Sequence, residues 1–154
     1  MAGKVLTWTN GFPGTVSRSI DDIIESIVNG ESSASISFGA PVALVDGAVK
    51  NTSADNTNII GIAVRTIKTE ETYGGDDPVY KAKEMVDVLK RGTVSVLVSN
   101  GSPAAGGTVH IVKATGAIRT SQDSTNTVEM TGWKFKGGKD ANNVDEIVLT
   151  ERVY

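Results

Sequence analysis

The sequence predicts a mainly β protein, a small barrel or sandwich built from two similar β-hairpin units, with an extended N-terminal arm and one short helix. Three observations carry that prediction. Seventeen glycines, set among many Thr, Ser and Asn, punctuate short runs of β-branched residues. Val94, Val96 and Val98 alternate with Ser95, Leu97 and Ser99, the period of two that a strand requires. The third is an internal repeat: GAPVALVDGAVKNTSADNTNIIGIAV at 39–64 parallels GGTVHIVKATGAIRTSQDSTNTVEMTGWKF at 106–135. In that alignment Gly39 matches Gly106, Val42 matches Val109, Gly47-Ala48-Val49-Lys50 matches Gly116-Ala117-Ile118-Arg119, and Gly61 matches Gly132. Each half then runs into a further strand, MVDVLKRGTV in the first and NVDEIVLTERV in the second. Two such units can close a small barrel or sandwich.

At 154 residues the chain is most economically one domain. It divides into an arm, 1–18, and a β-rich domain, 19–154. A chain of this length buries roughly two-thirds of its unfolded surface and needs no covalent staple. It has no cysteine, which removes disulfides, thiolate nucleophiles and cysteine metal sites together.

Within the arm, GFPGT reads as a turn, with Pro13 fixing φ and Gly11 and Gly14 letting the chain reverse. It lacks the lysine of a phosphate-binding loop. From about 19 to 29, Ile20, Ile23, Ile24, Ile27 and Val28 fall at offsets 0, 3, 4, 7 and 8, one face of a helix. Ser19 suits the N-cap, Asp21 and Asp22 suit the first turn, and Asn29-Gly30 is a stop. β-branching at every apolar position argues instead for an extended segment docked in a groove.

From about residue 35 onward the chain reads as strands: SISFGAPVALV, AVKN, NIIGIAVRTI, EMVDVLKRGTVSVLVS, GTVHIVKA, GAIRT, TVEMTGWKFK and VDEIVLTERVY. Asp46-Gly47 and Thr115-Gly116 sit where hairpin turns belong. Residues 69–78 and 137–143 read as exposed loops.

Several function classes are disfavoured. The net charge is −3, and Lys and Arg are spread along the chain without aromatic interleaving, so no nucleic-acid partner is expected. No run of about 18 apolar residues occurs, and the amino terminus lacks the apolar core of a signal peptide, so no membrane association is expected. The single histidine, His110, lies mid-strand in TVHIV and reads as structural, and no serine has a nucleophile-elbow setting. The paired acids Asp21-Asp22, Glu70-Glu71, Asp76-Asp77 and Asp145-Glu146 put neighbours on opposite faces of a strand, unlike carboxylates facing across a cleft. TYGGDDPVY at 72–80 lacks the alternation of a calcium loop. No catalytic residue, metal or cofactor is therefore assigned, and the chain is read as a non-enzyme.

PGTVSR, IIES, ISFGAPVAL, IIGIAVRT and VLKRGTVSVLV, in that order, resemble tailed-phage capsid decoration proteins, also called structural cement proteins. The similarity covers about residues 11 to 120. The resemblance implies a protein on the outer capsid surface of the virion that binds the major capsid protein of the expanded head and stabilises contacts between capsomers. It implies a homo-oligomer, with a trimer favoured. On this reading the arm docks on the shell through Trp8, Phe12, Pro13, Arg18, Ile20, Ile23, Ile24 and Ile27; exposed aromatics in a polar arm are typical anchors. The rival is a glycan-binding β module of a phage fibre or tail, with Tyr73, Tyr80 and Trp133 as its aromatic candidates.

Overall fold

Alternation of β-branched residues between glycine turns yields eleven strands among the described residues. The computed structural model describes residues 9–66 and 78–150, and at 18–21 the backbone alone. The strands are β1 (Val16–Val28), β2 (Ile36–Ser37), β3 (Pro41–Val45), β4 (Ala48–Asn51), β5 (Ile59–Ala63), β6 (Val79–Tyr80), β7 (Met85–Asn100), β8 (Thr108–Val112), β9 (Ile118–Arg119), β10 (Thr127–Phe135) and β11 (Val144–Leu149). Asp46 and Gly47, both at positive φ, form a two-residue turn that joins Val45 to its cross-strand partner Ala48.

The segment expected to be helical is not. Residues 16–28 form β1, paired antiparallel with β7 from Val28↔Met85 to Val16↔Val94 through three register shifts. β-branching at each apolar position disfavours the helix, and β7 supplies a 16-residue partner. The isoleucines therefore divide between two faces. Ile23 and Ile27 are half-buried, whereas Ile24 and Val28 are exposed.

Strand pairing reveals the duplication behind the internal repeat. β1, β7, β5, β3 and β4 are successive neighbours, and the ring returns to β1 through a parallel bridge between Asn29 and Val49. β7, β11, β10, β8 and β9 are likewise successive neighbours, and β9 returns to β7 through the parallel pair Val98↔Ile118. Every other pairing in both rings is antiparallel. Numbered along the chain, each barrel has the same neighbour order, first–fifth–fourth–second–third. Val49 and Ile118, matched in the sequence repeat, occupy the same closing position. β7 belongs to both barrels: its N-terminal half is the last strand of the first and its C-terminal half is the first strand of the second.

The core divides in two along similar lines, although Ile59 and Ile62 of β5 and Leu89 of β7 face the second cluster. Val86 and Val88 of β7 join Ile36, Val42, Val49 and Ile60 in one cluster. Val94, Val96 and Val98 join Val109, Ile111, Trp133, Phe135 and Ile147 in the other. Gly92, at φ +131°, lies between the two halves, and a Cβ there would collide with the Asp22 carboxylate.

Asn29 closes the first barrel. Fully buried, it donates from its amide nitrogen to Lys81 O at 3.0 Å and Tyr80 O at 3.3 Å, while its side-chain oxygen accepts from the Glu31 amide at 3.0 Å.

Candidate functional site

The turn quoted in the arm determines the most distinctive surface. Thr15 N donates to Phe12 O at 3.0 Å, with Pro13 and Gly14 (φ +85°) at the centre, the residue types that a type II turn demands. The turn seats on both barrels. On the second, the Asn10 amide donates to Asp140 Oδ2 at 2.8 Å, Asn10 Nδ2 donates to Val144 O at 2.6 Å, and Ser95 Oγ donates to Asn10 O at 2.6 Å. On the first, Arg65 N donates to Gly14 O at 2.8 Å and Arg65 Nε to Pro13 O at 3.0 Å. Residues 10–15 form a strap across the junction between the barrels.

Asp140 anchors the strap's start. It is buried, and also accepts from the amides of Asn142 and Val144. Burial alone would raise its carboxyl, but the Asn10, Val144 and Asn142 amides outweigh that and hold its pKa below the ordinary value.

The strap projects Phe12 outward, 71% exposed, beside Leu97, which is 51% exposed on the outer face of β7. The two residues line a pocket of 360 Å³ with Val144 and Asn142. Pro13 and Leu97 continue into a groove of 250 Å³ between the barrels, walled by Phe38, Pro41, Ala117 and Ile118. Among the described residues neither cavity has a charged side chain in its wall. An uncharged, partly apolar band of this kind suits a protein partner.

Of the other residues expected to dock, Trp8 and the side chains of Arg18 and Ile20 lie outside the described residues. Pro13 is half-buried in the strap. Ile24 is exposed on the first barrel, as are the cross-strand partners Val28 and Met85, while Ile27 packs against the first core. The band therefore gathers Phe12 and Pro13 but not Ile23, Ile24 or Ile27. Sequence reasoning missed Leu97, Arg65 and the Asp140 anchor.

The rival chemistry is dispersed. Trp133 is fully buried, Tyr80 is buried with its hydroxyl donating to Val64 O at 2.6 Å, and Tyr73 lies outside the described residues. His110 is buried in β8. Asp145 is buried and its pKa is pushed up by that burial against hydrogen bonds from the Glu146 and Gly137 amides; its neighbour Glu146 pairs with Lys136 at 2.9 Å. Among the described residues no three His, Cys, Asp or Glu side chains converge to hold a metal.

Comparison with known families decides the class. Residues 5–150 match the family model described as "Structural cement protein (E217 gp24/Pam3 gp6)". The chain belongs to the structural cement protein family. This cement protein is thus a structural component of a phage capsid, located in the virion and serving to stabilise the shell. Its fold is similar to that of a chain in "The capsid of Myoviridae Phage XM1", with a TM-score of 0.78 and 18% identity, covering 99% of this chain and 96% of that one. A search of curated proteins found no match.

Proposed function

We propose that this cement protein docks on the major capsid protein at the outside of the expanded head through the uncharged band around Phe12 and Leu97, with the arm, Trp8 included, extending the contact. It spans a joint between capsomers and carries out no turnover. The observation that supports this is the strap: hydrogen bonds to both barrels hold the backbone at Phe12 in place, so little loop entropy is lost when a partner covers it. One such band is smaller than a stable interface of about 1,600 Å². Many copies, each an oligomer with more than one foot on the shell, would add modest contacts into a large total. The trimer rests on the family resemblance, and light scattering of the free protein tests it directly.

The deciding experiment is co-sedimentation of the purified protein with purified expanded heads that lack it. Saturable binding at a stoichiometry matching a capsid symmetry position is expected, and the Phe12→Ala, Leu97→Ser double variant should need at least about tenfold more protein to saturate. Absence of binding by the wild type would overturn the docking reading. Equal binding by the double variant would move the contact away from this band.

A further inference from the structure

Arg65 stands at the rim of the uncharged band. The guanidinium carbon of Arg65 lies 5.3 Å from the Phe12 ring centroid and 5.0 Å from that of Phe38, a wall of the groove. Its Nε is committed to Pro13 O at 3.0 Å, which fixes the plane of the group. Its two terminal nitrogens have no acceptor among the described residues. Arg65 is half-buried, so these donors are neither buried without a partner nor lost in bulk water. A guanidinium held by two aromatic rings and one carbonyl, with its fork open among the described residues, is set up for two parallel hydrogen bonds to a carboxylate.

The surroundings define the remainder of the ligand. With no charged side chain among the described residues of either cavity wall, a second charge entering the band would be desolvated without compensation from those walls. The groove, at 250 Å³, is of a size to take one large apolar side chain. We infer that Phe12, Arg65 and Phe38, together with the adjoining groove, form a recognition site for an extended segment of the head protein in which one Asp or Glu, bound by the Arg65 fork, stands beside an apolar residue seated in the groove. The occupant follows from the docking reading and from charge complementarity: the surface that covers this band has to bring a carboxylate to the Arg65 fork. This inference rests on the docking reading above and specifies its chemistry.

The test uses heads lacking this protein in two forms, native and with surface carboxylates converted to neutral amides, against wild type, Arg65→Gln and Arg65→Lys. On native heads Arg65→Gln should bind about tenfold to a hundredfold more weakly and lose part of the wild-type salt dependence. Arg65→Lys keeps the charge but not the fork, and should recover the salt dependence without full affinity. Amidation should weaken the wild type while leaving Arg65→Gln unchanged, since the pair is already broken. Equal binding of wild type and Arg65→Gln, or equal weakening of both by amidation, overturns the carboxylate site and leaves docking intact. Wild type failing to bind native heads sinks the docking reading itself. Thermal melting of each variant checks the strap; should Arg65→Gln not fold, Arg65→Lys on native and amidated heads carries the same comparison.

Discussion

The backbone amide of Asn10 and the carboxylate of Asp140, 130 residues apart in the chain, are joined by a 2.8 Å hydrogen bond. Two further amides, from Asn142 and Val144, converge on the same carboxylate at 2.9 and 3.0 Å. Replacing Asp140 with Ala would leave Val144 N buried without its charged acceptor and release the start of the strap. A loss of about 2 to 3 kcal/mol is expected, read as a lower midpoint in urea with an unchanged slope.

The same carboxylate sets a pH dependence. Its folded pKa lies below the ordinary 3.8. Around and below that value the unfolded chain binds more protons than the native one, so the stability Asp140 contributes is complete above the unfolded pKa. It is lost as pH falls through the folded value. Asp145, raised by burial, works in the opposite sense, since its share is lost as pH rises. Comparison of wild type with Asp140→Asn isolates the first group. The gap between their melting temperatures should be widest near neutrality and close below about pH 4. A gap constant across that range would mean that the carboxylate charge does not hold the strap.

Gly14 and Gly39 meet where the strap crosses the first barrel. A Cβ on Gly14 would lie 2.8 Å from Gly39 N and 2.9 Å from Arg65 N, and one on Gly39 would lie 2.7 Å from Gly14 N. Both residues have positive φ. Ala at either position should cost about 1 to 3 kcal/mol from overpacking, with backbone strain in addition. Gly47, also at positive φ but with open space around it, is the control: Gly47→Ala bears the strain alone and should cost less. Chemical denaturation of the three variants ranks them.

Ile60 lies in the first core and Trp133 in the second, both fully buried. Ile60→Ala should cost about 2 to 5 kcal/mol and Trp133→Ala about 3 to 5. Because β7 belongs to both barrels, each variant should lower one common calorimetric transition. Separate peaks, each answering to one substitution, would show that the barrels unfold independently.

Much of this architecture can be read from local pattern. Val94, Val96 and Val98 announce their strand, Asp46-Gly47 its hairpin, and Val49 aligned with Ile118 the duplicated unit, because each depends on residues within a few positions. β1 could not be read this way. The spacing of Ile20, Ile23, Ile24, Ile27 and Val28 fits a helix, and what decides against it is a ladder with Met85 to Val94, 57 to 78 residues further on. The uncharged band was legible only in Phe12 and Pro13. Leu97 looked like one more alternating residue of its strand, and Arg65 joins two aromatics that are 26 residues apart in the chain, Phe12 and Phe38. Aromatics beside glycines in both GFPG and SFG were the available signal, and nothing local tied them to a cation.

A strand held in common also governs how the molecule meets a pull. Two bodies on a linker respond by stretching the linker first, and a shell fastened in that way would give before it resisted. Here tension applied at one barrel enters the other along the covalent backbone of residues 85–100, with β1 and β11 laid antiparallel beside it. Separating the barrels requires those ladders to shear together, many hydrogen bonds at once. The protein has no slack to take up at that joint: it acts as a stiff tie.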